Sequence, residues 1–279
     1  MVSAIMRQKV REVILGSEVL EGKTMNLPNP FPGLAINVNA GVQISAPQAN
    51  TTSTYKFKKA GKNGTLIAIV LDESGSMASC HDATITGFNE FVQGQRAAEA
   101  TAGVGYLTLV KFEGGKVETV YHNRPLSEVP VLNKKSYQPA GGTNLLDAIG
   151  DTINNVNAAL AASKKKDRPG VIITIMTDGE ENQSTRFNNE QIKAMVKAAE
   201  AADWTFTFLG ANIDAFSVGS TFGMNASNSI NYSTANMGAT MASVSASTMR
   251  MRAAKAAGVS TSELYSTGLY TNAELKSMK

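Results

Sequence analysis

Apolar positions along the chain fall into two kinds of run, and their alternation predicts the architecture. Residues 66–71 and 171–176 are short, β-branched and nearly continuous in apolar character, as expected of central strands covered on both faces. After the first of them, Ile85, Phe88, Phe91 and Val92 recur at helical spacing within 83–100. Leu145, Leu146, Ile149 and Ile153 do the same in a helix that opens at Gly141-Gly142-Thr143-Asn144 and runs to about Ala162. Strands are expected at 103–112, 204–209 and 229–232, and helices at 189–202, 214–222 and 235–257. Gly114-Gly115 turns strand 103–112 back into 116–121, which makes that third strand antiparallel and an edge. The predicted fold class is α/β: a doubly wound, mostly parallel central sheet with one antiparallel edge strand, helices on both faces and right-handed crossovers.

The flanks differ in character. Residues 1–64 hold the cluster Pro28, Pro30 and Pro32 and a polar run at 48–54. Strand-like stretches at 10–15 and 34–38, with 42–44 as a hairpin partner, cannot bury their faces alone. They read as an extended N-terminal arm that docks in a homo-oligomer or larger assembly, followed by the solvated basic linker Lys56, Lys58, Lys59 and Lys62. From 258 to 279 the pattern weakens to a tail with one helical turn near Ala273. The expected division is therefore an arm (1–64), an α/β domain (65–257) and a tail (258–279).

Composition narrows the function. Of the 279 residues, 43% are hydrophobic and 18% charged, enough for a real core and against wholesale disorder. A net charge of +3 without an aromatic and basic stripe argues against a nucleic-acid partner. Cys80 is the only cysteine, which excludes an intrachain disulfide and a cysteine-based zinc site. Residues 1–20 mix Arg7, Lys9, Arg11 and Glu12 with apolar residues and contain no signal-peptide core, and no stretch is apolar enough to span a bilayer. The expectation is a soluble chain, cytoplasmic or virion-associated, with no membrane partner. Met224, Met237, Met241, Met249 and Met251 read as filler on a packing helix rather than as a binding surface.

The candidate chemistry lies where the first central strand stops, at Asp72-Glu73-Ser74-Gly75-Ser76-Met77. In open α/β sheets ligands bind at the carboxyl ends of strands. Asp72, Ser74 and Ser76 alternate, so an extended loop turns their oxygens to one side, and Gly75 allows close backbone approach. Oxygen donors without His or Cys suit a hard cation such as Mg²⁺. By itself the stretch reads equally well as a helix cap. Two further segments change that balance: Thr143 in its Gly-Gly loop, and Thr177-Asp178-Gly179 at the end of the second central strand.

Taken in order, Asp72-x-Ser74-x-Ser76, Thr143 and Thr177-Asp178-Gly179 resemble the metal-ion-dependent adhesion site of von Willebrand factor type A domains over roughly residues 65–257. Ala211-Asn212-Ile213-Asp214-Ala215 is similar to the bacterial and phage-type members. The resemblance implies Mg²⁺, or Mn²⁺ or Ca²⁺, bound directly by Ser74, Ser76 and usually Thr143, with Asp72 and Asp178 contributing directly or through water. It also implies a protein partner that supplies an acidic residue to the metal. Glu73, Glu180 and Glu181 would then make an acidic rim, unless they are ordinary solvated loop charges. His81, His122 and Cys80 sit in no catalytic pattern, and neither a Gly-x-Ser-x-Gly elbow nor a phosphate loop is present, so an enzyme is not expected. The leading expectation is a metal-dependent protein-docking module. The alternative is a structural or assembly component, as of a phage particle, acting through the N-terminal arm. An adaptor for a separate AAA+ machine of the chelatase or MoxR type ranks below both.

Overall fold

The computed structural model describes Phe57, Ala60 and residues 63–279. The strand-like stretches at 10–15, 34–38 and 42–44, the other residues of the arm before 57, and the lysines at 56, 58, 59 and 62 lie outside the described residues.

Six strands form one sheet: β1 (Thr65–Asp72), β2 (Gly105–Glu113), β3 (Lys116–Pro125), β4 (Gly170–Thr177), β5 (Thr205–Gly210) and β6 (Ser229–Asn231). Their order is β3-β2-β1-β4-β5-β6. All pairs are parallel except β2 with β3, so the doubly wound sheet with one antiparallel edge strand is observed. β1 and β4 lie side by side in the middle, which brings Asp72 and Thr177 to the same end of the sheet.

The side-chain alternation of β1 explains the layers. Leu66, Ala68 and Val70 join a core with Leu145, Ile149 and Ile153 of α3 (Leu145–Ala161) and Ile192 and Val196 of α4 (Asn189–Ala201). Ile67, Ile69 and Leu71 face the other way, toward Phe88 and Phe91 of α1 (His81–Ala97) and Met241 and Val244 of α6 (Met237–Ala256). Two shorter helices, α2 (Glu99–Ala102) and α5 (Ala215–Thr221), complete the crossovers. Helices α1 and α6 approach closely because α1 offers glycines: a Cβ on Gly87 would lie 2.6 Å from Met241 Cβ, and one on Gly94 would lie 2.9 Å from Ser245 Oγ. At the amino ends of the strands Arg252 of α6 is fully buried, and its guanidinium donates to the carbonyls of Gln95 and Gly103 at 2.8 Å each.

After residue 257 the weak sequence pattern gives way to two capped helices, α7 (Thr261–Thr267) and α8 (Asn272–Ser277). Ser260 with Glu263 and Thr271 with Glu274 form capping boxes, and Leu264, Leu269 and Met278 are buried. Too few apolar residues separate these short helices for periodicity to register, whereas both caps are local S/T-x-x-E signals. No helix among the described residues is long and apolar enough to cross a membrane.

Candidate functional site

Each segment of the site is delivered by the end of a strand or the start of a helix. β1 ends at Asp72, which is fully buried. Its Oδ1 accepts from the backbone N–H of Ser74 at 2.7 Å, an Asx-type turn that stops the strand. Its Oδ2 accepts from Thr177 Oγ1 at 2.6 Å, linking the ends of β1 and β4. Residues Gly75–Cys80 then wind into a 3-10 stretch that leads directly into α1. Ser74, the residue before that stretch, makes no side-chain cap. The capping reading therefore fails for Ser74, whose hydroxyl lies 3.1 Å from Ser76 Oγ instead.

Ser76 Oγ donates to Asp178 Oδ1 at 2.6 Å, although the two residues are far apart in sequence. Asp178 is buried, and its second oxygen, Oδ2, is enclosed without a hydrogen-bond partner. Thr143 is also buried, on the connection 126–144 between β3 and α3. Its backbone is clamped to the loop after β4: Asn182 and Gln183 N–H donate to its carbonyl, and its own N–H donates to Asn182 Oδ1 at 2.9 Å. Gly179 shows how closely these pieces converge, since a Cβ there would stand 3.1 Å from Thr143 Oγ1 and 3.8 Å from Ser76 Oγ. All five residues singled out in the sequence, Asp72, Ser74, Ser76, Thr143 and Asp178, thus gather at the carboxyl end of the sheet.

Burial dominates the electrostatics of the cluster. Burial raises the Asp72 carboxyl above the ordinary aspartate range against hydrogen bonds from Thr177 and Ser74, and neighbouring Asp178 raises it further. Burial likewise raises Asp178, with the Ser76 hydrogen bond opposing. Two buried carboxylates and an unpartnered carboxylate oxygen are costly alone, a cost that a proton or a cation would relieve. Among the described residues no three His, Cys, Asp or Glu side chains gather as a metal group, so a cation here would rest on hydroxyls as much as on carboxylates.

The acidic rim is only partly present. Glu73 points into the protein, 5% exposed, where both its oxygens take Lys111 Nζ at 2.8 Å. Glu181 is half-buried and accepts from the backbone N–H of Leu146, Gln183 and Ser184, tying its loop to the start of α3. Glu180 alone of the three is exposed. Sequence reading missed the two groups that organise the surroundings. Lys111 is a lone cation inside an apolar strand, a pattern that signals a buried pair. Tyr137 is an aromatic isolated in a polar connection; it is fully buried, and its hydroxyl donates to the Asp72 carbonyl at 2.7 Å.

The fold and this cluster define a class: an open, mostly parallel α/β sheet bearing oxygen donors at the carboxyl ends of its two central strands. No family model matches the chain, and no curated protein matches it. Among solved structures it is similar to proximal thread matrix protein 1 from the mussel byssus, at 13% identity and a TM-score of 0.47, over 63% of this chain and 45% of that one. It is similar to a von Willebrand factor type A protein from Catenulispora acidiphila at 14% identity and a TM-score of 0.40, over 67% of this chain and 42% of that one. The pilus adhesin SpaC from Lactobacillus rhamnosus GG matches at 13% identity and a TM-score of 0.47, over 73% of this chain and 31% of that one. The chain spans less than half the length of each of these proteins, and the resemblances are distant.

Proposed function

We propose that this end of the sheet is a divalent-cation site through which the chain docks a protein partner. The observation that carries the reading is the convergence of three segments on one cluster of oxygens, with Asp178 Oδ2 buried and without a partner. Ser74, Ser76 and Thr143 would hold the ion through hydroxyls, with Asp178 and Asp72 contributing directly or through water. Few carboxylates and several neutral oxygens suit Mg²⁺, which keeps part of its water shell; Mn²⁺ and Ca²⁺ are accommodated by the same donors. When bound, such an ion supplies positive charge at the surface, the chemistry that attracts a partner's Glu or Asp.

The chain's own residues favour that partner. Lys111 withdraws Glu73 from the rim, and backbone N–H groups occupy Glu181. Small residues border the donors, with Gly75, Ser76, Ala140 and Gly141 exposed, and the acidic charge left nearby is that of Glu180 and of Glu113, whose carboxylate lies against Gly141. A catalytic role has no comparable support. Both His81 ring nitrogens are engaged, at 2.9 Å from Asp82 Oδ1 and from the Tyr137 carbonyl oxygen. Cys80 is buried, and burial pushes its thiol up.

Titration calorimetry with Mg²⁺, Mn²⁺ and Ca²⁺ tests the site, and partner capture from native lysate in Mg²⁺ or in EDTA tests the docking. Wild type is expected to bind metal and to retain a partner only with metal, whereas Asp178→Asn and Ser76→Ala lose both. A partner retained equally in EDTA and by folded Asp178→Asn would overturn the docking role.

A further inference from the structure

The donor set has a weak joint. The ends of β1 and β4 are neighbours in the sheet and are bonded directly through Thr177 to Asp72 and Ser76 to Asp178. Thr143 is clamped to the loop after β4, but toward β1 it is held only through the connection 126–144, which is mostly without regular structure. Long irregular connections hold a side chain in place only when their backbone is tied down.

Hydrogen bonds to β1, β2 and the turn after β1 tie this connection down. Ala140 N–H donates to the Glu73 carbonyl at 2.8 Å, and Gly75 N–H donates to the Gly141 carbonyl at 3.1 Å. Lys111 Nζ, while paired to Glu73, donates to the Ser136 carbonyl at 2.7 Å. In their midst the Tyr137 side chain enters the core and donates to the carbonyl of Asp72 itself. The peptide after Asp72 sets the direction of Ser74, so a hydrogen bond to that carbonyl fixes the plane from which two donors hang. Tyr137 is in turn held from outside: its ring stacks on His81 at 5.8 Å between centroids, and His81 Nε2 donates to its carbonyl.

We infer that Tyr137 is the positioning residue of the cation site, tying the connection that carries Thr143 to the strand end that carries Asp72, Ser74 and Ser76. It touches no ion; it acts through the Asp72 carbonyl and rests on the cation reading above. The structure supplies a control in Tyr121, whose hydroxyl donates to the Pro130 carbonyl of the same connection at 3.3 Å, upstream of the donors.

The test is Mn²⁺ and Mg²⁺ titration calorimetry on wild type, Tyr137→Phe, Tyr121→Phe and His81→Ala, with unfolding of each followed in EDTA. Tyr137→Phe keeps the ring and deletes one hydrogen bond, so affinity is expected to fall about ten-fold, as for lost outer-shell partners of other metal sites. Tyr121→Phe should bind like wild type. His81→Ala, which removes the stacking partner without entering the core, should lose affinity in the same direction and by less. A structural role alone would lower unfolding in EDTA without weakening metal affinity in the folded protein. Wild-type affinity in Tyr137→Phe, or an equal loss in Tyr121→Phe, overturns this inference and leaves the cation site standing. Absence of metal binding by wild type overturns both.

Discussion

An alanine at position 179 would place its Cβ in the space between Thr143 Oγ1 and Ser76 Oγ. Contact at 3.1 Å is tighter than side chains ordinarily accept, so the Thr143 hydroxyl must give way by a few tenths of an ångström, while Ser76 Oγ at 3.8 Å stays in ordinary contact. Gly179→Ala is therefore expected to fold and to bind Mg²⁺ several-fold more weakly, measured by calorimetry beside an unfolding curve in EDTA. Lys111→Met makes the opposite kind of change, leaving Glu73 buried without its cation. Removing one member of a buried pair costs about 3–5 kcal/mol, and urea denaturation should show a loss of that size. Adding Glu73→Gln to the same chain should recover most of it. At this scale the sequence displayed the donors and concealed their supports. Asp72, Ser74 and Ser76 share a local pattern, whereas Glu73 reads as a loop charge until the fold brings Lys111 to it. Tyr137 carries no local signal at all, because its role depends on a carbonyl delivered by another segment.

Among the elements, β3 was legible as an antiparallel edge from Gly114-Gly115, yet it runs on to Pro125, past the expected end at 121. The extension contains a bulge, with Asn123 at φ 52° and its N–H donating to Thr108 Oγ1 at 3.0 Å. A bulge and the charges of Lys116, Glu118 and Arg124 blunt pairing with another strand, so this edge is poorly suited to strand exchange. The same strand holds His122, whose pKa burial lowers from the ordinary value of 6.5. The folded chain then binds fewer protons there than the unfolded chain, so this contribution is complete above about pH 6.5 and is lost as pH falls toward the folded pKa. Urea midpoints should drop between about pH 7 and about pH 5, and His122→Gln should flatten that slope. Helix α1 was read as a packing helix, which it is, but one stripe of it also grips the connection 126–144. Asn89 exchanges two hydrogen bonds with Leu132, at 2.7 and 2.9 Å, and Arg96 reaches the carbonyls of Leu126 and Val129. Hydropathy periodicity sees only the apolar face of such a helix.

For the whole molecule, a ligand that binds only the folded state adds RT ln(1 + [L]/Kd) to stability, about 2.7 kcal/mol at a hundred-fold excess over Kd. Saturating Mg²⁺ should therefore raise the unfolding temperature by several degrees, EDTA should reverse the rise, and Ser76→Ala should abolish it. The sheet order itself was not readable from the chain, since parallel strands reveal their neighbours only when folded. Alternation of apolar strands and amphipathic helices nonetheless predicted the architecture, because burial on two faces demands it. Arg252 adds a consequence of timing. Its guanidinium meets Gln95 and Gly103, and the helix that bears it covers the face formed by Ile67, Ile69 and Leu71. During synthesis β1 and the helix α1 precede residues 237–256 by well over a hundred residues, whereas Ile230 of β6, on the same face, comes only just before them. Only the α1 half of that face can therefore be covered early, and the half under α6 is expected to close last, with the end of the sheet and the final long helix arriving together.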